Sequence, residues 1–170
     1  DIHQDIFSRL FCGEGVPVFY AKNLPYKSKC NENILSYFLN LIGMCKSIDT
    51  FCWKYDENGL PEIESCRKDF VKTTSSAIEL TSSYGLFYDN ANNIRDNYID
   101  FLEVLMSFFK GNEFVLGLDP WNEPLPKKLF SDLSNFWPSL ADDKYLTPLY
   151  KDVFKRLKKI DNDLIYLLEP

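Results

Sequence analysis

The feature that most restricts the fold is a unit that occurs twice in the second half of the chain. Ile94, Tyr98, Phe101, Leu105 and Phe108 recur at steps of three and four, which predicts an amphipathic helix over 93–110. Lys110 and Gly111 supply a cation and a stop at its carboxyl end. The apolar run Val115-Leu116-Gly117-Leu118 follows and leads into Asp119-Pro120-Trp121-Asn122-Glu123-Pro124. Further on, Thr147-Pro148 predicts a second helix start, with the hydroxyl as cap and proline at the first helical position. Leu149, Val153, Leu157 and Ile160 mark its face, and the apolar run Leu164–Leu168 then ends in Glu169-Pro170.

Helices alternating with uniformly apolar strands build a parallel sheet, so the class is α/β. Acidic residues just past the strand ends place the chemistry at the carboxyl edge of that sheet. Both (β/α)8 barrels and open doubly wound sheets carry their sites there. No glycine-rich phosphate fingerprint follows a strand, which weighs against nucleotide binding. Asp1-Ile2-His3-Gln4-Asp5 reads as the end of one more strand, giving three strand ends. A full barrel takes about 250 residues, so 170 residues with three strand ends are expected to be the middle of one. The absence of an initiator Met and of a signal-peptide pattern fits that expectation and leaves the compartment open.

The first third is loop-rich. Residues 8–33 read as a long loop, 34–45 as apolar and helical, and the chain is irregular again through Gly59-Leu60-Pro61. One helix or two short ones are expected over 68–83. All five cysteines (Cys12, Cys30, Cys45, Cys52 and Cys66) lie in this third. Such clustering suits one or two disulfides in an oxidising compartment, with at least one thiol left over. The competing reading is five reduced, half-buried cysteines. No metal-finger spacing occurs and His3 is the only histidine, so neither a metal nor a cofactor is expected. A net charge of −6 with scattered basic residues provides no face for phosphate counterion release, which excludes nucleic acid as the expected partner.

Two groups of residues suggest chemistry. Asp1, His3 and Asp5 alternate, so on a strand they share one face and could hydrogen-bond sugar hydroxyls or orient a carboxylate. They would make a poor metal cage, and an exposed polar strand end is the plainer alternative. Asn122-Glu123-Pro124 follows an apolar strand. Glycosidic cleavage needs a carboxylic acid to protonate a poor leaving-group oxygen, and an adjacent amide can bind the sugar 2-hydroxyl. Glu169 also follows a strand, but a structural or supporting role fits it better than direct catalysis. Trp53, Trp121 and Trp137 could stack on sugar or line a lipid groove. Packing is the alternative for each, and Trp121 should be buried between strand and helix.

The run from Asp1-Ile2-His3-Gln4-Asp5 through Gly13-Glu14-Gly15-Val16-Pro17 closely resembles the third-strand motif of endoglycoceramidase-like members of glycoside hydrolase family 5. Tyr88-Asp89-Asn90, the 93–110 helix and Val115-Leu116-Gly117 leading to Asn122-Glu123-Pro124 are similar to that family's route into strand four. Leu146-Thr147-Pro148-Leu149-Tyr150, continuing to Asp161 and Ile165 through Pro170, resembles its next helix and strand.

The resemblance implies the end of strand 3 through strand 5 of a TIM barrel, with residues 1–170 as the central portion of a catalytic domain and a loop-rich insertion at about 8–66. It implies a retaining hydrolase of glycosphingolipids that cuts the β-glycosidic bond between sugar and ceramide. Glu123 then matches the acid/base, and Asn122, His3 and Asp5 match substrate-binding positions. The nucleophile, a glutamate of a later strand, has no match in this chain. The alternatives are a glucosylceramide or steryl-glucoside β-glucosidase of the same family, or a non-catalytic truncated product. The implied partner is a glycosphingolipid, with transient contact to membrane or micelle lipid, in a secreted or lysosome-like location.

Overall fold

The structure, a computed structural model, describes residues 1–25, 33–68, 77–127, 132–137 and 139–169. Its elements in chain order are α1 (Val18–Asn23), α2 (Ile34–Leu41), α3 (Ile78–Tyr88), α4 (Ile94–Phe109), β1 (Gly117–Leu118), α5 (Thr147–Leu157) and β2 (Ile165–Tyr166). Of the helix expected over 68–83, residues 69–76 lie outside the described residues; α3 covers 78–83 and runs on to Tyr88.

β1 and β2 pair in parallel, Gly117 opposite Ile165 and Leu118 opposite Tyr166. A parallel pair needs a crossover, and α5 lies within the connection. The N-terminal segment joins the same layer. The Ile2 amide donates to the Asp119 carbonyl at 2.9 Å, and the Asn122 amide donates to the Ile2 carbonyl at 3.4 Å. The Leu167 amide donates to the Leu118 carbonyl at 2.9 Å. Successive carbonyls of a strand point in opposite directions, so residues 1–4 and β2 flank β1 on its two sides. The ladder is shorter than the apolar runs 115–118 and 164–168, because regular pairing is confined to two residues in each strand. Gly117 is required here, since a Cβ on it would lie 2.4 Å from the Ile165 carbonyl oxygen.

The core gathers under this layer. Phe7, Phe11, Tyr84, Phe87 and Trp121 are buried together with Leu80, Ile99, Leu102, Leu149, Val153 and Leu157. Trp121 stacks on Phe87 at 4.3 Å between ring centroids and meets Tyr98 edge-on at 4.9 Å. It is buried between strand and helix, as its position on the strand implied. Trp53 is buried on Phe51, whereas Trp137 is exposed.

α4 forms where its periodicity placed it, with Ile94 and Tyr98 of the expected stripe inward but not the rest of it. Ile94, Ile99, Leu102 and Met106 are buried, while Phe101 and Phe108 of the expected face point outward, Phe108 being 82% exposed. The helix carries apolar residues on two stripes, and the one facing α3, α5 and the sheet is the one covered. α4 is tied to α5 by Arg156, which binds both Glu103 and Asp100, and by Arg95 to Asp152 at 3.5 Å.

Thr147 does not cap α5, because the helix enters it through a π-turn over Asp142–Leu146. Pro148 lacks an amide hydrogen, and its ring would clash with the carbonyl four residues back in a regular turn. Widening the preceding turn relieves both.

The loop-rich third is stapled. Cys12 and Cys66 form a disulfide, Cys45 is also disulfide-bonded, and Cys52 is a free exposed thiol. The all-reduced alternative is thereby excluded. α1 interrupts what the sequence suggested was loop, whereas α2 lies within the 34–45 stretch expected to be helical, and Asn33 begins it with a reciprocal capping box to Ser36.

Candidate active site

Everything polar at the carboxyl end of β1 hangs on the turn Asn122-Glu123. Glu123 has φ +39°, a left-handed value that disfavours any residue with a Cβ. Such a conformation persists only where neighbours over-determine it. Here they hold it on both sides. The Glu169 carboxylate accepts the Glu123 amide hydrogen at 2.6 Å. The Gln4 side chain donates to the carbonyls of Asn122 at 2.5 Å and Glu123 at 3.2 Å. The Glu123 side chain itself is exposed, whereas Asn122 is buried and donates through Nδ2 to the Gln4 carbonyl at 3.1 Å.

The N-terminal segment supplies the rest. Alternation sends His3 and Asp5 to the open face and Gln4 inward. His3 stands between two carboxylates, Nδ1 at 3.2 Å from Asp1 and Nε2 at 3.3 Å from Asp5. Asp5 is paired through its backbone with Glu14, whose amide donates to the Asp5 carbonyl at 2.7 Å. Gly13 permits this close return, since a Cβ there would sit 1.9 Å from the Asp5 carbonyl oxygen. Ligand-type atoms of His3, Asp5 and Glu14 lie within 4.8 Å of one another, so these three would be the donors for any cation bound here.

After Asp5 the chain turns through two left-handed residues, Ile6 (φ +54°) and Phe7 (φ +65°), both buried. The turn points the Phe7 amide at the Gln4 oxygen Oε1, 3.0 Å away. Tyr84 of α3 donates its hydroxyl to the same oxygen at 2.7 Å. Burial pushes the Tyr84 hydroxyl well above the ordinary tyrosine range, and the charges of Asp5 and Glu123 add to the shift. Tyr84 therefore stays protonated and able to donate.

The structure thus joins the segments that carry His3, Asp5, Asn122 and Glu123, through backbone bonds between residues 2–4 and 119–123. Three participants were not singled out from the sequence: Gln4, Tyr84 and Glu14. Gln4 did leave a signal, because the alternation that sends His3 outward sends a glutamine into the core, where its amide must be bonded. Tyr84 left none, lying 80 positions from its partner. Beside this segment, Ile2, Tyr20, Tyr98, Phe101 and Trp121 help line an apolar groove of about 530 Å³.

The arrangement presents the exposed Glu123 carboxylate on a backbone bonded from both sides, with the cluster of Asp1, His3 and Asp5 on the adjoining segment. Over 170 residues, 95% of this chain, the sequence is 28% identical to an endoglycoceramidase of Cyanea nozakii. Over 172 residues, 96% of the chain, it is 26% identical to an endoglycoceramidase of Hydra vulgaris. The resemblance read from the motifs therefore extends along nearly the whole chain, while the chain spans 29% of the length of each relative. No family model and no solved structure matches it.

Proposed function

We propose that this chain is the central part of a glycosidase that acts on glycosphingolipids, cleaving the β-glycosidic bond between sugar and ceramide with retention. Glu123 is the acid/base: it protonates the ceramide oxygen as the bond breaks and later deprotonates the incoming water. Asn122 binds the sugar beside the scissile bond, and His3 and Asp5 bind sugar hydroxyls from the neighbouring strand end. The nucleophile is a carboxylate supplied by another part of the intact protein. The observation that carries this reading is the clamped, left-handed Glu123 at the carboxyl end of β1, a strained position of the kind that collects at active sites. The likeness to two endoglycoceramidases supports the substrate class.

The parallel β1–α5–β2 unit, flanked by residues 1–4, supports placing the chain between strands 3 and 5 of a TIM barrel, with the insertion at about 8–66 on its rim. The disulfides support a secreted or lysosome-like location. A ceramide substrate requires transient contact with membrane or micelle lipid.

The test is Glu123→Gln in the intact protein, with sugar release from a glycosphingolipid as the readout. Loss of general acid–base catalysis lowers turnover by roughly 100- to 10,000-fold. The exposed side chain leaves the melting temperature unchanged. A variant that keeps more than about a tenth of wild-type activity would remove Glu123 from the chemistry, since the loss expected for an acid/base is at least tenfold larger.

A further inference from the structure

Resting on the assignment of Glu123 as acid/base, we propose that Gln4 is a positioning residue for it, and that Tyr84 sets the orientation in which Gln4 works.

Gln4 is 2% exposed, and all four hydrogen-bonding capacities of its amide are used. The Phe7 backbone amide can only donate, so the atom facing it is Oε1. The same oxygen accepts from the protonated Tyr84 hydroxyl. Nε2 therefore has to face the other way, where it meets the carbonyls on either side of the Glu123 α-carbon. In extended backbone consecutive carbonyls point in opposite directions. Converging two of them on one nitrogen takes a turn out of extended backbone, which Glu123 makes with its positive φ. Gln4 thus fixes both peptide planes that meet at Glu123 and hence the direction in which its side chain leaves the chain.

Room for this device is built into the facing segment. Gly15 has φ +116°, and a Cβ there would lie 2.5 Å from the Cβ of Gln4. On the opposite side Glu169 holds the Glu123 amide. Holding the backbone this way sets where the Glu123 side chain starts, and displacing a catalytic group by about 1 Å can cost on the order of 100-fold in rate.

The test uses the intact protein and two substrates with the same sugar: a glycosphingolipid, whose alkoxide leaving group needs a proton, and a dinitrophenyl glycoside, whose leaving group does not. For Gln4→Met, kcat/KM for the glycolipid falls roughly 100-fold, whereas for the dinitrophenyl glycoside it falls less than about 5-fold, because that leaving group does not draw on general acid catalysis. Tyr84→Phe deletes one hydroxyl and keeps the ring, so it serves if Gln4→Met does not fold; it gives the same split at roughly a tenth of the size, since Phe7 still holds Oε1.

An equal loss on both substrates would make Gln4 merely structural and overturn the proposal. A split in Glu123→Gln that is missing from Gln4→Met and Tyr84→Phe overturns the positioning role alone. No split in Glu123→Gln overturns the acid assignment, and this proposal with it.

Discussion

Around Glu123 single side chains act by fixing backbone groups of other residues. Tyr150 illustrates it: its hydroxyl donates to the Glu169 carbonyl at 3.0 Å, and Glu169 in turn holds Glu123. Burial, followed by the nearby charge of Asp119, pushes the Tyr150 hydroxyl up to about 12. A phenol whose pKa is raised on folding stabilises the fold fully below the unfolded value near 10 and loses that contribution as pH rises through the folded one. The urea midpoint should therefore fall between pH 10 and 12, and Tyr150→Phe should make that fall shallower; an unchanged slope would refute the linkage. At this scale the sequence was partly legible. The carboxylate and amide after an apolar strand singled out Glu123 and Asn122 as candidates, and alternation grouped Asp1, His3 and Asp5. Glu169 was recognised as a supporting residue, but not what it supports, because the Glu123 amide lies 46 residues away.

Elements are placed by what covers them. The 93–110 helix was legible from its period, yet its buried stripe only in part, because α4 has two apolar stripes and its neighbours α3 and α5 choose between them. α5 starts at Thr147-Pro148 as expected, and only the hydroxyl cap was misread. Thr-Pro is a good helix opening in isolation, but the turn before it continues the helix by widening. In the loop-rich third little period exists to read, and the Cys12–Cys66 disulfide, closing a separation of 54 residues, adds to the packing of Phe11, Ala21, Leu24, Phe51 and Trp53. Cys12 immediately precedes the Gly13-Glu14 pair that lies against Asp5, so the staple also supports the polar cluster. Replacing both cysteines by serine should lower stability by up to about 4 kcal/mol, the loop-closure entropy of a span this long. Urea unfolding measures it, and a loss below about 0.5 kcal/mol would mean that native packing alone holds the segment.

For the molecule as a whole, the exposed apolar surface is the main physical fact. α2 turns Ile34 (90% exposed), Tyr37, Phe38 and Leu41 outward, and α4 does the same with Phe101, Val104 and Phe108. Contiguous patches of this kind promote association. Residues 1–170 expressed alone should self-associate in light scattering at micromolar concentration. A monodisperse monomer with one cooperative unfolding transition would contradict this. Apolar runs alternating with helices pointed to an α/β class, and the parallel β1–β2 pair connected through α5 is one unit of that kind. The groups that hold Glu123 also fix when its site can exist. Gln4 stands 119 positions before it and Glu169 another 46 after. During synthesis Glu123 therefore leaves the ribosome with half of its clamp already made and half still to come, and the site closes only once Glu169 has followed.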